Sequence, residues 1–281
     1  MQRELTGKTA VITGASRGVG LGIAMRLAGA GANVVMLARG QDDLDEAVGA
    51  VMVQGGEAIA VAGDAGSPAD VARVEAAAVE RFGAIDIWVN NVGIGAMGAF
   101  WEVPVEDHDR VVQVNLGSLI HGSHTALRRF VQQGEGTLIN IGSVDSVVPV
   151  AYQATYAATQ AAMLSLGAAL RQELRLSGAG RGIHVCTVLP WAVKTSWWRQ
   201  AANHTGRRLT MVMMDEVSTV VDAVMAACAS PAPVRAVGWK GRGAVLAHRM
   251  FPRLTEHLAA DLVRAHLKRQ PREARSRGTI H

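Results

Sequence analysis

The sequence predicts a doubly wound α/β fold: a parallel sheet of about seven strands covered by helices on both faces, with a helical C-terminal extension. Three observations carry this. Short, nearly continuous apolar runs alternate with longer Ala-rich stretches, and strands that are apolar on both sides belong in a sheet covered on both sides. The alternation occupies residues 5–238 with no linker, internal repeat or low-complexity segment. A glycine-dense turn, Thr13-Gly14-Ala15-Ser16-Arg17-Gly18-Val19-Gly20, joins the first apolar run to the first helical stretch.

Taken in order, strands are expected over residues 9–13, 33–37, 58–61, 85–89, 137–141, 183–189 and 234–237. Helices are expected near 19–30, 42–54, 68–82, 106–131, 153–177 and 215–229, joined by right-handed crossovers. One domain therefore spans 1–238, with a substrate loop near 191–214, and an extension spans 239–281. In the extension, 241–250 and 252–269 read as helices. Phe251, Leu254, Leu258, Leu262 and Val263 recur there at helical spacing among Arg253, Arg264, Lys268 and Arg269. Such a face packs on the core, on another subunit or in a lipid headgroup layer, protein being the commoner partner. From Pro271 onward, polarity and charge read as a frayed, disordered end.

Hydrophobic residues make up 49% and charged ones 19%, which supports a large core and excludes global disorder. No apolar run reaches the roughly 18–20 residues that a bilayer span requires. The first residues lack the apolar stretch of a secretory signal, so a cytoplasmic location is expected. Cys186 and Cys228 lie in apolar runs and read as buried thiols rather than as one disulfide. The net charge of +4 is uneven: residues 239–281 hold ten Lys/Arg and three Asp/Glu, and the rest holds 18 basic and 21 acidic residues. That basic end suits acidic partners or an anionic membrane surface, although it also suits a solvated helix face. It lacks interleaved aromatics, so nucleic-acid binding is not expected. His121, His124, Asp107 and Asp145 have no metal-ligand spacing and read as structural or exposed; no metal is expected.

Several motifs occur in order. The glycine turn follows the first strand, and Ala62-Gly63-Asp64-Ala65 follows the third. Asn90-Asn91-Val92-Gly93 follows the fourth, Ser143 follows the fifth, and Tyr156 comes thirteen residues after Ser143. Pro190-Trp191-Ala192-Val193-Lys194-Thr195 follows the sixth. Together they resemble the short-chain dehydrogenase/reductase family, which implies a Rossmann-like fold, a nicotinamide cofactor and homodimers or homotetramers, with residues 106–131 and 153–177 as contact surfaces. Glycines at 14, 18 and 20 permit a tight turn and close approach of backbone to a pyrophosphate, with Ser16, Arg17 and Val19 around it and a helix start offering free N–H groups. An acid at the end of the second strand would accept NAD ribose hydroxyls. Here that place reads Ala38-Arg39, and Arg17 adds a second guanidinium, so NADP(H) is expected. By resemblance Asp64 and Ala65 contact adenine, Asn91 and Gly93 form the next turn, and Pro190, Val193 and Thr195 meet the nicotinamide amide. Trp191 stands where the family has glycine.

The resemblance also implies a catalytic group. Ser143 would orient a carbonyl oxygen, Tyr156 would donate the proton, and Asn115, mid-helix, would hold a water in the relay. The family's lysine one turn beyond the tyrosine is replaced by Gln160, which keeps reach and hydrogen bonding but has no charge to lower the phenol pKa. Residual activity should therefore favour carbonyl reduction, unless Lys194 or Arg199 supplies the missing cation. Trp191, Trp197, Trp198, Met97, Val148 and Tyr152 are expected to line a pocket for a hydrophobic carbonyl or alcohol. The expected function is an NADP(H)-dependent oxidoreductase reducing a hydrophobic ketone or aldehyde. The alternatives are a catalytically impaired pseudoenzyme that binds nucleotide or a partner, and a non-redox isomerase using the same pocket.

Overall fold

A computed structural model describes residues 5–211 and 213–280. The strands are β1 (Thr9–Thr13), β2 (Asn33–Ala38), β3 (Ala58–Ala62), β4 (Ile87–Asn90), β5 (Ala96–Met97), β6 (Gly136–Ile141), β7 (Ile183–Leu189), β8 (Ala202–Asn203) and β9 (Val234–Ala236). The helices are α1 (Gly18–Gly29), α2 (Gln41–Met52), α3 (Pro68–Phe82), α4 (Val105–Gln133), α5 (Ala154–Leu176), α6 (Trp197–Gln200), α7 (Val217–Ala229), α8 (Gly238–Met250) and α9 (Pro252–Arg269). Seven strands form one sheet in the order β3-β2-β1-β4-β6-β7-β9, and every neighbouring pair is parallel. The two-residue strands β5 and β8 pair separately near the cleft.

Alternation along each strand divides the core between the two faces. Ala10, Ile12, Val34, Met36, Val89 and Val188 join Ile23 and Leu27 of α1, Leu44 of α2 and Val220 and Val224 of α7. Val11, Val35, Leu37, Trp88, Leu138 and Val185 point the other way, onto Val71 and Val74 of α3 and Ala126 and Phe130 of α4. Both faces of the sheet are therefore dry, as the unbroken apolar runs require. Cys186 and Cys228 are buried thiols.

Two boundaries differ for identifiable reasons. The fourth strand begins at Ile87 rather than Ile85, because the Gln133 side chain takes both the Ile85 N–H (3.2 Å) and the Ile85 carbonyl (2.7 Å). The larger correction concerns the end of the chain, which is not frayed from Pro271. Asn203 and Ser276 exchange backbone hydrogen bonds of 2.7 and 2.9 Å, and the Thr279 N–H donates to the Gln200 carbonyl at 2.9 Å. Arg275 pairs with Glu102 at 2.8 Å, and Ile280 is buried among Ala96, Val103, Val111 and Ala202. Gly278 adopts φ +58°, and a Cβ there would lie 2.2 Å from the Gln200 carbonyl oxygen. The polar composition of the segment hides one apolar anchor and a row of paired arginines.

A buried polar network ties α4 to the sheet centre. Trp88 Nε1 donates to Asn90 Oδ1 (2.9 Å), and Asn90 Nδ2 donates to Ser123 Oγ (3.1 Å) and Asn140 Oδ1 (3.0 Å). Gly122 leaves room for it, since a Cβ would lie 2.1 Å from Asn90 Oδ1. Gly122→Ala should therefore destabilise the fold by about 2–3 kcal/mol despite alanine's better helix propensity. Urea denaturation checks this, with a stability unchanged or raised as the contrary result.

Candidate active site

The carboxyl ends of the strands open into a single cleft of about 530 Å³ that runs from the glycine turn, past β4 and β6, to the loop after β7. It lies where β1 separates β2 from β4, the switch point at which ligands bind in such sheets. Gly14 and Gly18 have φ of +64° and +58°, a region that only glycine enters freely. Gly20 does not line the cleft; a Cβ there would lie 2.2 Å from the Gly14 carbonyl oxygen, so it lets α1 close onto the turn. Arg17 at the N-cap makes no side-chain cap, and the first turn of α1 carries no acid, so its N–H groups and positive dipole end remain available to an anion. Asn91 braces the turn: Nδ2 donates to the Thr13 and Gly14 carbonyls, each at 3.1 Å.

Ser16, Arg17, Gly18, Val19, Arg39, Asp64, Ala65, Asn91, Gly93, Pro190, Val193 and Thr195 all line this cleft together with Ser143, Tyr156 and Gln160. Asp64 also has a turn role, accepting the Gly66 N–H at 2.8 Å. Arg39, at the exit of β2, is exposed, whereas Arg17 pairs with Asp43 of α2, which also lines the cleft.

The Ser143 hydroxyl hydrogen-bonds the Tyr156 phenol. Burial pushes the Tyr156 pKa well above its ordinary value, the negative potential of Asp145 adds to the rise, and the Ser143 bond opposes it. Gln160, one turn further along α5, is 3% exposed, and its Oε1 is buried without a hydrogen-bond partner. A buried amide oxygen without a donor costs free energy unless something supplies one, so the cleft floor suits a hydroxyl-bearing ligand. Neither candidate replacement cation reaches Tyr156: Lys194 points outward and pairs with Glu216, and Arg199 is exposed outside the cleft.

Asn115 is fully engaged within the protein. Its Oδ1 accepts the Ile94 N–H (2.8 Å), and Nδ2 donates to the Ile94 carbonyl and Thr159 Oγ1, each at 3.0 Å. It joins α4, α5 and the loop after β4, but does not line the cleft.

At the end formed by the loop after β7, Trp191, Trp197 and Trp198 form a wall. Trp197 Nε1 donates to the Gly93 carbonyl at 2.9 Å, which sets its ring 5.3 Å from that of Tyr156. Trp198 is held by the Val193 carbonyl, also at 2.9 Å. Three expected pocket residues are corrected. Met97 is buried behind the tryptophans, Val148 packs with Val144 and Leu189, and Tyr152, with φ +68°, is exposed; none lines the cleft. Their places are taken by Val114, Val150, Gln153, Arg110 and Met211, and by Thr279 and Ile280 of the returning end. Arg110 Nε donates to the Ile280 carbonyl at 2.8 Å.

Asp145 is the acid that sequence reasoning passed over. It is buried, lines the cleft two residues from Ser143, and its backbone N–H donates to Ser143 Oγ at 3.2 Å. The signal was this proximity, which a search for metal spacing does not register. Burial pushes its carboxyl pKa up to about 7. The native state thus binds a proton that the unfolded chain releases near 3.8. This contribution to stability is complete below the unfolded value and is lost as pH rises through about 7. Asp145→Asn should remove that fall, read as a urea midpoint that no longer drops across this window; a slope identical to that of the parent would contradict the assignment.

With this geometry established, the relatives are informative. Residues 8–206 match the short chain dehydrogenase family. The chain is 36% identical over 197 residues to 3beta-hydroxysteroid dehydrogenase 1 of Eggerthella lenta, covering 69% of this chain and 74% of that protein. A crystal structure of 3-ketoacyl-(acyl-carrier-protein) reductase from Brucella melitensis complexed with NADH superimposes with a TM-score of 0.74 at 30% identity, covering 84% of this chain and 99% of the other. L-Sorbose reductase from Gluconobacter frateurii, complexed with NADPH and L-sorbose, gives 0.74 at 25% identity, covering 84% and 97%. The chain belongs to the short chain dehydrogenase family.

Proposed function

We propose that this protein is an NADP(H)-dependent oxidoreductase that reduces a hydrophobic ketone or aldehyde to an alcohol. The observation that carries this reading is a phenol kept protonated by burial and bonded to the Ser143 hydroxyl, with no cation among the described residues offsetting the rise in its pKa. Such a phenol already carries the proton that reduction consumes and lacks the phenolate population that alcohol oxidation requires, so the balance favours reduction. Ser143 would hold the carbonyl oxygen and Tyr156 would deliver its proton there. When bound, the reduced nicotinamide would supply the hydride to the carbonyl carbon. The open N–H groups of α1 would hold the pyrophosphate, and the unpaired Gln160 Oε1 would accept a ribose hydroxyl. The tryptophan wall, together with the hydroxysteroid dehydrogenase among the relatives, supports a bulky, fused-ring carbonyl as the substrate.

The phosphorylated cofactor is supported by Ala38-Arg39 at the exit of β2, where an acid would repel a 2′-phosphate. The Arg17–Asp43 pair is exposed, and exposed pairs contribute only about 0–1 kcal/mol, so a phosphate can displace Asp43. NADPH should bind at least about tenfold more tightly than NADH, and Asp43→Asn should widen the gap. Fluorescence titration tests this; equal affinities would contradict it. We further propose a cytoplasmic homo-oligomer, for which the exposed Val112 and Ile120 of α4 offer a contact surface.

The missing cation also supports the alternative of an impaired enzyme that binds nucleotide. Gln160→Lys separates the two. A restored charge should lower the phenol pKa by about one to three units and raise kcat/KM for bulky ketones by about a hundredfold. No gain, with NADPH binding intact, would favour the binding protein.

A further inference from the structure

The two C-terminal helices leave an apolar ridge uncovered. On α8, Trp239, Leu246 and Met250 recur at intervals of seven and four residues and are 61–75% exposed. Phe251 and then Leu254, Leu258 and Leu262 of α9 continue the ridge at intervals of three and four and are 52–66% exposed, and α9 has no buried residue at all. Residues at such spacings share one helix face. A run of large exposed apolar groups of this kind marks an interaction surface.

Charge identifies the partner. Arg242 and Arg249 lie one turn to either side of Leu246, Arg269 lies two turns beyond Leu262, Lys268 borders the ridge, and Arg253 and Arg264 lie further round α9. All six are exposed, and none forms an ion pair among the described residues. Residues 238–270 hold seven Lys/Arg against two Asp/Glu. A second copy of the chain would bring this positive surface against itself. An anionic lipid surface accepts both the ridge and its basic border. Among the described residues no helix is long and apolar enough to cross a membrane, so the contact is peripheral. The inner side of α8 packs Val245 against Val144 and Val148, which places the helix beside the loop that carries Ser143 and Asp145.

We propose that the outer face of α8 and α9 docks on an anionic lipid surface, with its apolar ridge in the headgroup layer and its arginines and lysine on the phosphates. This inference is independent of the catalytic reading. The test is cosedimentation of the full chain with phosphatidylcholine vesicles with and without phosphatidylglycerol. The chain should bind the anionic vesicles, with a blue-shifted tryptophan emission, and partitioning should fall at least about tenfold at high salt. Leu254→Glu with Leu258→Glu should lose binding by a similar factor while keeping the parent's melting temperature. Arg249→Ala with Arg269→Ala, which leaves the ridge intact, should weaken binding to anionic vesicles alone. Failure of the parent chain to bind, or unchanged binding by both variant pairs, would overturn the proposal. So would lipid-free self-association that Leu254→Glu with Leu258→Glu abolishes, since it would assign the ridge to a second copy.

Discussion

The contact of α1 with the turn that precedes it positions everything else. A side chain at Gly20 would collide with both the Gly14 carbonyl oxygen (2.2 Å) and the Asn91 amide nitrogen (2.7 Å) that donates to it at 3.1 Å. Two features thereby become one: the first turn of α1, with its open N–H groups, and the end of β4, from which the Asn91 loop departs. The cleft follows from that junction, because the parallel sheet brings every strand to its carboxyl end on the same side. Helix α5 then carries Tyr156 and Gln160 to the cleft floor, and the amide of Asn115 fixes α5 to α4 through Thr159.

Electrostatics at the floor are set by what is buried without compensation. Tyr156 loses solvent and gains the potential of Asp145, and no cation offsets either effect. Lys194 lies on the adjacent loop, but that loop is fastened by the Asp215 carbonyl to its backbone N–H (2.9 Å), and its ammonium is held by Glu216. Moving it inward would break an exposed pair only to bury a charge, which is unfavourable. A buried acid with a pKa of about 7 beside a phenol makes the site sensitive to pH.

Much of this was legible in the sequence. The parallel sheet covered on both faces follows from alternating apolar runs, and the strand ends moved by only a few residues where a side chain such as Gln133 captured the backbone. The glycine turn, Ser143, Tyr156 and Gln160 were found because local spacing fixes them on neighbouring element ends. Asp145 was visible but indistinguishable from a surface acid, since burial is a tertiary property. Met97, Val148 and Tyr152 were misplaced for the same reason: adjacency to a motif says nothing about which way a loop side chain turns. The returning end was hidden most completely. Its composition is that of a solvated tail, whereas its packing rests on tertiary contacts: the burial of Ile280, the backbone pairing of Ser276 with Asn203 and the Arg275–Glu102 pair.

The central claim is that the cleft joins a nucleotide to the Ser143–Tyr156 pair through Gln160. A crystal structure of the NADPH complex tests it most directly. The account predicts pyrophosphate at the first turn of α1, a ribose hydroxyl within hydrogen-bond distance of Gln160 Oε1, and the phenol facing the nicotinamide. A cleft left empty at saturating NADPH, or a nicotinamide beyond reach of the Tyr156 oxygen, would contradict it.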